Sequence, residues 1–437
     1  MEKKEFARRR KRLMDIMNIG SIAILPASEV RGRNNDVEYQ YRPDSDFYYL
    51  TGFPEPEAVA VLIPDRKHGE FILFCREKDP EMETWHGRRS GLKKAVEYYG
   101  ADDAFPINDI DEILPGLIEN KDRVFYNMGI DPDFDAHIQG WVNQVRSKAR
   151  SGITAPEEFI SLGHALHELR LFKSRGEIKT MRRAAQISAK AHTRAMKQCR
   201  PGMKEYQIEA ELLHEFMKHG CRSSAYPSIV GGGENGCILH YTENSDSLND
   251  GDLLLIDAGA EHDCYASDIT RTFPVNGQFS PAQKILYEIV LEAQEAAIEK
   301  VKPGNHWNDP HVAAVRVITR GLKEIGLLKG RLPTLIKTEA YRPYYMHRTG
   351  HWLGMDVHDV GDYKVNGDWR MLEPGMVMTV EPGIYIKEHS RGVAKKWWNI
   401  GIRIEDDVLV TKNGYDILSK DVPKTVTEIE ALMDHAN

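Results

Sequence analysis

The chain has 437 residues, 58 of them Lys or Arg and 66 Asp or Glu, for a formal net charge of −8. The acidic balance excludes a general nucleic-acid binder, which carries a basic surplus. Hydrophobic residues at 41% and charged residues at 28% exclude a disordered or fibrous chain and leave a globular one, long enough for two or three domains of roughly 150 residues.

In chain order, Phe6–Met17 predicts a helix in which Phe6, Leu13, Ile16 and Met17 sit among basic residues. The basic run from Arg8 to Arg12 reads as that helix's solvated face; no apolar h-region follows it, so no secretory signal is expected. Ser21–Leu25, Ala58–Ile63, Glu70–Cys75 and Val124–Asn127 are apolar runs of strand length. This alternation predicts an α/β domain over residues 1–173. Glu177–Gln198 then carries apolar residues at three- and four-residue spacing and ends at Pro201–Gly202; Glu205–His219 is a second helix, stopped by Gly220. A further helical pair is expected at Pro281–Val301 and Asn308–Ile325. The helix-helix-strand order recurs in both halves of residues 174–437, which suggests an internally duplicated domain. No apolar run approaches the roughly 18 residues of a membrane span, so no membrane partner is expected. Cys75, Cys199, Cys221, Cys237 and Cys264 are odd in number and lack CxxC spacing, which predicts reduced thiols and a cytoplasmic location.

Four segments place acidic side chains on apolar runs. In the first, Leu253–Ile256 leads to Asp257, and Asp268 follows a polar turn. A hairpin turning at His262–Asp263 would set Asp257 opposite Asp268, with Cβ atoms roughly 5 Å apart, a separation at which like charges need a cation or a shared proton. In the second, His347, His351 and His358 fall among glycines that disfavour a helix, and Arg348 stands where the helical zinc motif HExxH needs Glu, so a loop carrying imidazoles is expected. In the third, Glu381 ends the apolar run Met376–Val380, just before Pro382–Gly383. In the fourth, Arg403 and Glu405 lie two apart and are expected on one strand face. Singly, each carboxylate reads as surface. Together, Asp257, Asp268, Glu381 and Glu405 with one imidazole balance two divalent cations, a dinuclear centre of the kind whose metals sit roughly 3.5–4 Å apart. Oxygen-rich donors favour Mn²⁺, Mg²⁺, Fe²⁺ or Co²⁺.

The order Asp, Asp, His, Glu, Glu, carried by IDAGAEHDCYASDITRTF, HRTGHWLGMDVHD, TVEPGIY and GIRIEDDVLV, resembles the pita-bread metallopeptidase family. YRPDSDFYYLTGFPEPEAVAVL resembles the N-terminal domain of its Xaa-Pro aminopeptidase branch. The resemblance runs from about residue 5 to residue 420. It implies an α/β (α+β) protein: an N-terminal domain over 1–173 that restricts substrate and supports oligomerisation, and a pita-bread catalytic domain over 174–437. It implies two divalent metal ions per subunit, Mn²⁺ first among them, with Asp257 on one metal, Asp268 and Glu405 bridging, and His351 and Glu381 on the other. It gives His240, His347, His358, Glu381 and Arg403 catalytic positions, and sets Val357 and Tyr385 at a proline pocket. Trp85, in TWHGRR, matches a Trp presented to a neighbouring subunit's site, and a homodimer or homotetramer is expected. Arg348–Thr349 departs from the smaller or apolar residues often found after His347 in bacterial relatives, which bears on substrate length.

The reaction so implied is release of the N-terminal residue from peptides with proline second, by attack of a metal-bridging hydroxide. His240 or His358 would stabilise the oxyanion, and Glu381 would take up the water's proton. The alternatives are a prolidase that cuts only Xaa-Pro dipeptides and a non-catalytic pita-bread binding protein; the second loses ground because all five ligand positions hold competent side chains.

Overall fold

A computed structural model describes residues 2–434. They divide into two compact units, Met1–Leu169 and Arg170–Asn437. The charged end Glu428–Asn437 reads from sequence as a solvated terminal helix or tail; the helix Val426–Met433 enters it, and residues 435–437 lie outside the described residues. Among the described residues no helix is long and apolar enough to cross a membrane.

The first unit is built on a six-stranded mixed sheet. Its centre is the antiparallel trio Ser21–Pro26, Val59–Leu62 and Phe71–Cys75, extended in parallel by Asp103–Pro106 on one side and by Arg123–Phe125 and Glu158–Ile160 on the other. The central strands are buried along their length, which is why they read as continuous apolar runs instead of alternating ones. The helix Lys3–Met17 departs from expectation. Arg9 and Arg10 are buried, not solvated. Arg9 donates to the Tyr49 carbonyl and Arg10 to the Leu50 carbonyl, both at the C-terminal end of the helix Ser45–Thr51. Each guanidinium also lies over a ring, that of Tyr49 at 4.0 Å and that of Phe71 at 4.1 Å. Orphan helix carbonyls and aromatic faces supply what water would have given them.

In the second unit, two helix pairs each precede strands. Arg175–Gln198 starts at a capping box of Ser174 and Glu177 and pairs with Glu205–Lys218. Pro281–Ile298, capped by Ser280 and Gln283, pairs with Asp309–Glu324. The first pair is followed by a sheet of Ile229–Gly232, Leu253–Asp257 and Thr270–Pro274, the second by a sheet of Val377–Val380, Asp406–Thr411 and Gly414–Ile417. A third pairing joins Gly383–Ile386 to Ile400–Arg403. One large apolar core runs through the helices and strands of both halves. The consequence for function lies at the strand ends: the acidic residues that interrupt these apolar runs are drawn to the core's edge.

Candidate metal centre

The hairpin after Leu253 sets the first pair of carboxylates, though not in the predicted register. Asp257 stands opposite Thr270, and Glu261 opposite Ala266. The turn is Asp263–Cys264, both at positive φ (50° and 62°), one residue later than expected. Two consecutive positive φ values give the primed turn whose twist suits a hairpin. Moving the centre by one residue moves each cross-strand partner by two, so Asp268 falls diagonally from Asp257. The two carboxylates still converge: the Tyr226 hydroxyl lies 2.6 Å from Asp257 Oδ1 and 2.5 Å from Asp268 Oδ1. The returning segment can come this close only because residue 259 is Gly; a Cβ there would sit 1.7 Å from the Ser267 carbonyl oxygen.

His351 arrives on a loop, as the glycines implied. The loop runs along the strand Val377–Val380, joined by Leu353 N to Val377 O, Thr379 N to His351 O and Glu381 N to Thr349 O. At Gly350 a Cβ would lie 2.0 Å from the Thr379 carbonyl oxygen. His351 Nδ1 donates to the Trp352 carbonyl at 2.9 Å, which aims Nε2 at Asp268 Oδ2 (3.3 Å) and Glu381 Oε1 (3.5 Å). Glu381 stands where the chain leaves one sheet and enters the next pairing, and its Oε1 accepts from Thr379 Oγ1.

Glu405 lies between the strands Ile400–Arg403 and Asp406–Thr411, not on a strand face shared with Arg403. The two still act on one partner, the Thr270 hydroxyl: it donates to Glu405 Oε2 at 2.6 Å and accepts from Arg403 Nε at 3.1 Å. Among the three consecutive acids, Asp406 is taken by Arg271 and Lys424, and Asp407 accepts from the Asp268 N–H. Only Glu405 of the three faces the cavity.

Donor atoms of Asp268, His351 and Glu405 all lie within 4.8 Å of one another. The electrostatics follow from packing so many acids together. Burial, with the neighbouring carboxylates, raises Glu381 to about 7 and pushes Glu405 well above its usual range. Burial also raises Asp257, against the pull of Arg403. Burial would lower His351, yet its bond to Asp268 and the charge of Glu381 carry it up to about 9. The site therefore favours positive charge at its centre. Oxygen-rich donors around one imidazole, converging from four chain segments, fit divalent cations of the Mn²⁺ or Mg²⁺ type.

These five residues line a cavity of about 710 Å³ together with His240, His347, Arg348, Val357, His358, Arg403, Tyr226 and Tyr363. His358 packs edge-on against His351 with ring centroids 4.3 Å apart. Burial lowers His347 to about 3 and also lowers His358, so both imidazoles are neutral near pH 7. Tyr385 stands behind the cavity wall, 2% exposed; its hydroxyl meets His347 Nε2 at 2.9 Å and accepts from Arg403 Nη1 at 3.1 Å. Trp85 belongs to the first unit, on the helix Pro80–His86, and is 77% exposed. Sequence reasoning missed Tyr226, Thr270 and Thr379. Tyr226 stands outside every motif, and Thr270 and Thr379 stand inside two of them without being acidic or His themselves; only the folded register brings the three to the carboxylates.

The chain matches the pattern of Metallopeptidase family M24 over residues 179–412 and that of the Aminopeptidase P, N-terminal domain over residues 6–126. It is 48% identical to the Xaa-Pro aminopeptidase of Escherichia coli over 434 residues, covering 99% of this chain and 98% of that one. Among solved structures, the aminopeptidase PepP of Pseudomonas aeruginosa superimposes with a TM-score of 0.98 at 63% identity, covering 99% of this chain and 98% of that one. The zinc-substituted E. coli aminopeptidase P in complex with product gives 0.97 at 47% identity, covering 100% and 99%. A carboxylate-rich site on a pita-bread scaffold, with family patterns matching both units, places the chain in metallopeptidase family M24, in its Xaa-Pro aminopeptidase branch.

Proposed function

We propose that this enzyme is a metal-dependent aminopeptidase that releases the N-terminal residue from peptides with proline in second position. The observation that carries the reading is the convergence of Asp257, Asp268, His351, Glu381 and Glu405 at one cavity. Two relatives that align over 99% of the chain are Xaa-Pro aminopeptidases. Asp257 would hold one metal, Asp268 and Glu405 would bridge, and His351 and Glu381 would hold the second; two Mn²⁺ suit the donor set. When bound, such a pair supplies Lewis-acid polarisation of the scissile carbonyl and a water acidic enough to ionise near neutral pH.

The chain's own residues supply the rest. Glu381, at the junction of two strands, would accept a proton and return it to the departing prolyl nitrogen, which must be protonated to leave. His240 or the neutral His358 would donate to the developing oxyanion. Arg403 fixes the Asp257 carboxylate and the Tyr385 hydroxyl, and through Tyr385 the ring of His347. The bond before proline is a tertiary amide with no N–H to recognise, so selectivity must come from the shape of the wall around Val357 and the histidines. A homodimer or homotetramer in the cytoplasm, with Trp85 offered to a neighbouring subunit, completes the proposal; the exposure of Trp85 and five free cysteines agree with it.

The test is a rate panel on metal-loaded protein. Arg-Pro-Pro should release arginine, while Arg-Ala-Ala and the dipeptide Gly-Pro are poor substrates. Preference for Gly-Pro would make the enzyme a prolidase, and indifference to proline would remove the assignment. Metal analysis of the same sample should give two ions per chain, where a binding protein would hold none stoichiometrically.

A further inference from the structure

Arg348 lines the same cavity but belongs to none of the machinery above. It is exposed, and its Nη1 donates to Asn308 Oδ1 at 2.8 Å. Its guanidinium lies 5.0 Å from the centre of the Trp369 ring and 6.0 Å from that of Trp307, and these two rings stack with centroids 5.3 Å apart. Lys364 Nζ lies 4.6 Å from the same Trp369 ring. Among the described residues no carboxylate is paired with Arg348, although 66 of the chain's residues are acidic. A long, flexible cation is thus held in place by an amide and two indoles, and its charge is left free beside the cavity.

What that charge meets follows from the direction of entry, and here the argument rests on the aminopeptidase reading. An aminopeptidase takes the N-terminal residue at the metal ligands, so the part of the peptide beyond the scissile bond must run outward. The exposed end of the cavity carries Arg348, while the half-buried His347 lies further in. We propose that Arg348 is a specificity-determining residue that recognises a carboxylate on the leaving peptide. Two sources present that group: the C-terminal carboxylate of a short peptide, or an acidic side chain just after proline. A planar guanidinium pre-set on an aromatic face suits paired contact with either.

The experiment compares kcat/KM for Ala-Pro-Ala, its C-terminal amide Ala-Pro-Ala-NH2, and Ala-Pro-Asp-NH2, with wild type, Arg348→Gln and Arg348→Glu. The readout is the ratio of each carboxylate-bearing peptide to the plain amide within one protein, so that a general loss of activity cancels. In the wild type the ratio should be about three- to fivefold, the size of a partly exposed ion pair, and should shrink at high salt. It should fall to near one in Arg348→Gln and below one in Arg348→Glu. If only Ala-Pro-Ala is favoured, the group read is the chain terminus; if Ala-Pro-Asp-NH2 is favoured as well, any nearby carboxylate serves. A wild-type ratio of one, or a ratio that Arg348→Gln leaves intact, overturns the proposal. A wild type that cleaves none of the three would instead overturn the aminopeptidase reading.

Discussion

Arg403 donates through Nη2 to Asp257 Oδ2 at 2.6 Å, with both side chains almost shut off from water. The same guanidinium reaches Thr270 and Tyr385, so one cation orients a proposed metal ligand, a hydroxyl beside Glu405, and the phenol behind His347. Replacing it by Met should leave Asp257 mispositioned and its charge uncompensated. Partners that orient metal ligands commonly contribute 10–100-fold to affinity or activity. For Arg403→Met we expect kcat to fall by about that factor, with a circular dichroism spectrum like wild type. Normal kcat would show that Asp257 is placed without Arg403.

Removal of metal gives a second expectation. The carboxylates at the site repel one another, and burial already pushes Glu381, Glu405 and Asp257 toward the protonated form. A ligand that binds only the folded chain stabilises it by about 4 kcal/mol when present at a thousandfold its Kd. Chelation should therefore lower Tm by several degrees, and Mn²⁺ should restore it in a concentration-dependent way. An unchanged Tm across saturating Mn²⁺ would count against a folded-state metal site.

A third concerns the loop from His351 to Asp359. The Asp359 carboxylate is buried and accepts from Arg170 at 2.6 Å and Lys173 at 2.9 Å. Burial would raise its pKa, but Lys173 and Arg170 outweigh that and hold it below the usual value. A depressed folded pKa contributes stability that is complete above the unfolded pKa of about 4 and fades as pH falls through the folded one. Asp359→Asn leaves Lys173 buried without its carboxylate, so we expect a loss of about 3 kcal/mol at pH 7. In urea titrations the gap between variant and wild type should stay constant above pH 5 and close below pH 4. A gap that widened in acid would reverse the sign and refute the linkage.

Gly350 tests how tightly His351 is held. Any Cβ at this position collides with the Thr379 carbonyl oxygen. Gly350→Ala must push the loop off the strand Val377–Val380 and carry His351 Nε2 away from Asp268 and Glu381. We expect loss of metal from the two ions per chain proposed above toward one or none, read by metal analysis of dialysed protein. Retention of two ions would mean the loop can yield without moving the imidazole.

Much of this site could be read before folding, and the reason is physical. A carboxylate at the end of an apolar run is costly unless something neutralises it, so Asp257, Glu381 and Glu405, each of which alone reads as surface, made sense as a set. The helices that flank the site announce themselves by period, while their capping boxes at Ser174 and Ser280 appear only in the structure. What stayed hidden depends on register or on distant partners. One residue's shift of the turn to Asp263–Cys264 replaced Asp268 by Thr270 opposite Asp257. Arg9 and Arg10 read as solvated because their carbonyl partners lie 40 residues away. Tyr385 read as a pocket wall because a sequence does not say that Arg403 and His347 stand in front of it.

Tyr226 shows the same limit most sharply, and it carries the last prediction. It lies in a segment without motif, yet its hydroxyl sits between Asp257 and Asp268, 2.6 Å and 2.5 Å from one oxygen of each. One proton serves two carboxylates, and burial among them raises the phenol's pKa well above 10, so it remains a donor throughout the working range. Tyr226→Phe keeps the ring that fills this space and removes only that proton. Free of it, the two acids repel more strongly in the metal-free chain and are turned less firmly toward the cavity. The expected result is weaker metal binding, by about 10-fold, with kcat at saturating Mn²⁺ reduced less than that. Titration of activity against Mn²⁺ reads both quantities at once. A loss of kcat with unchanged metal affinity would instead assign the hydroxyl to the reaction itself.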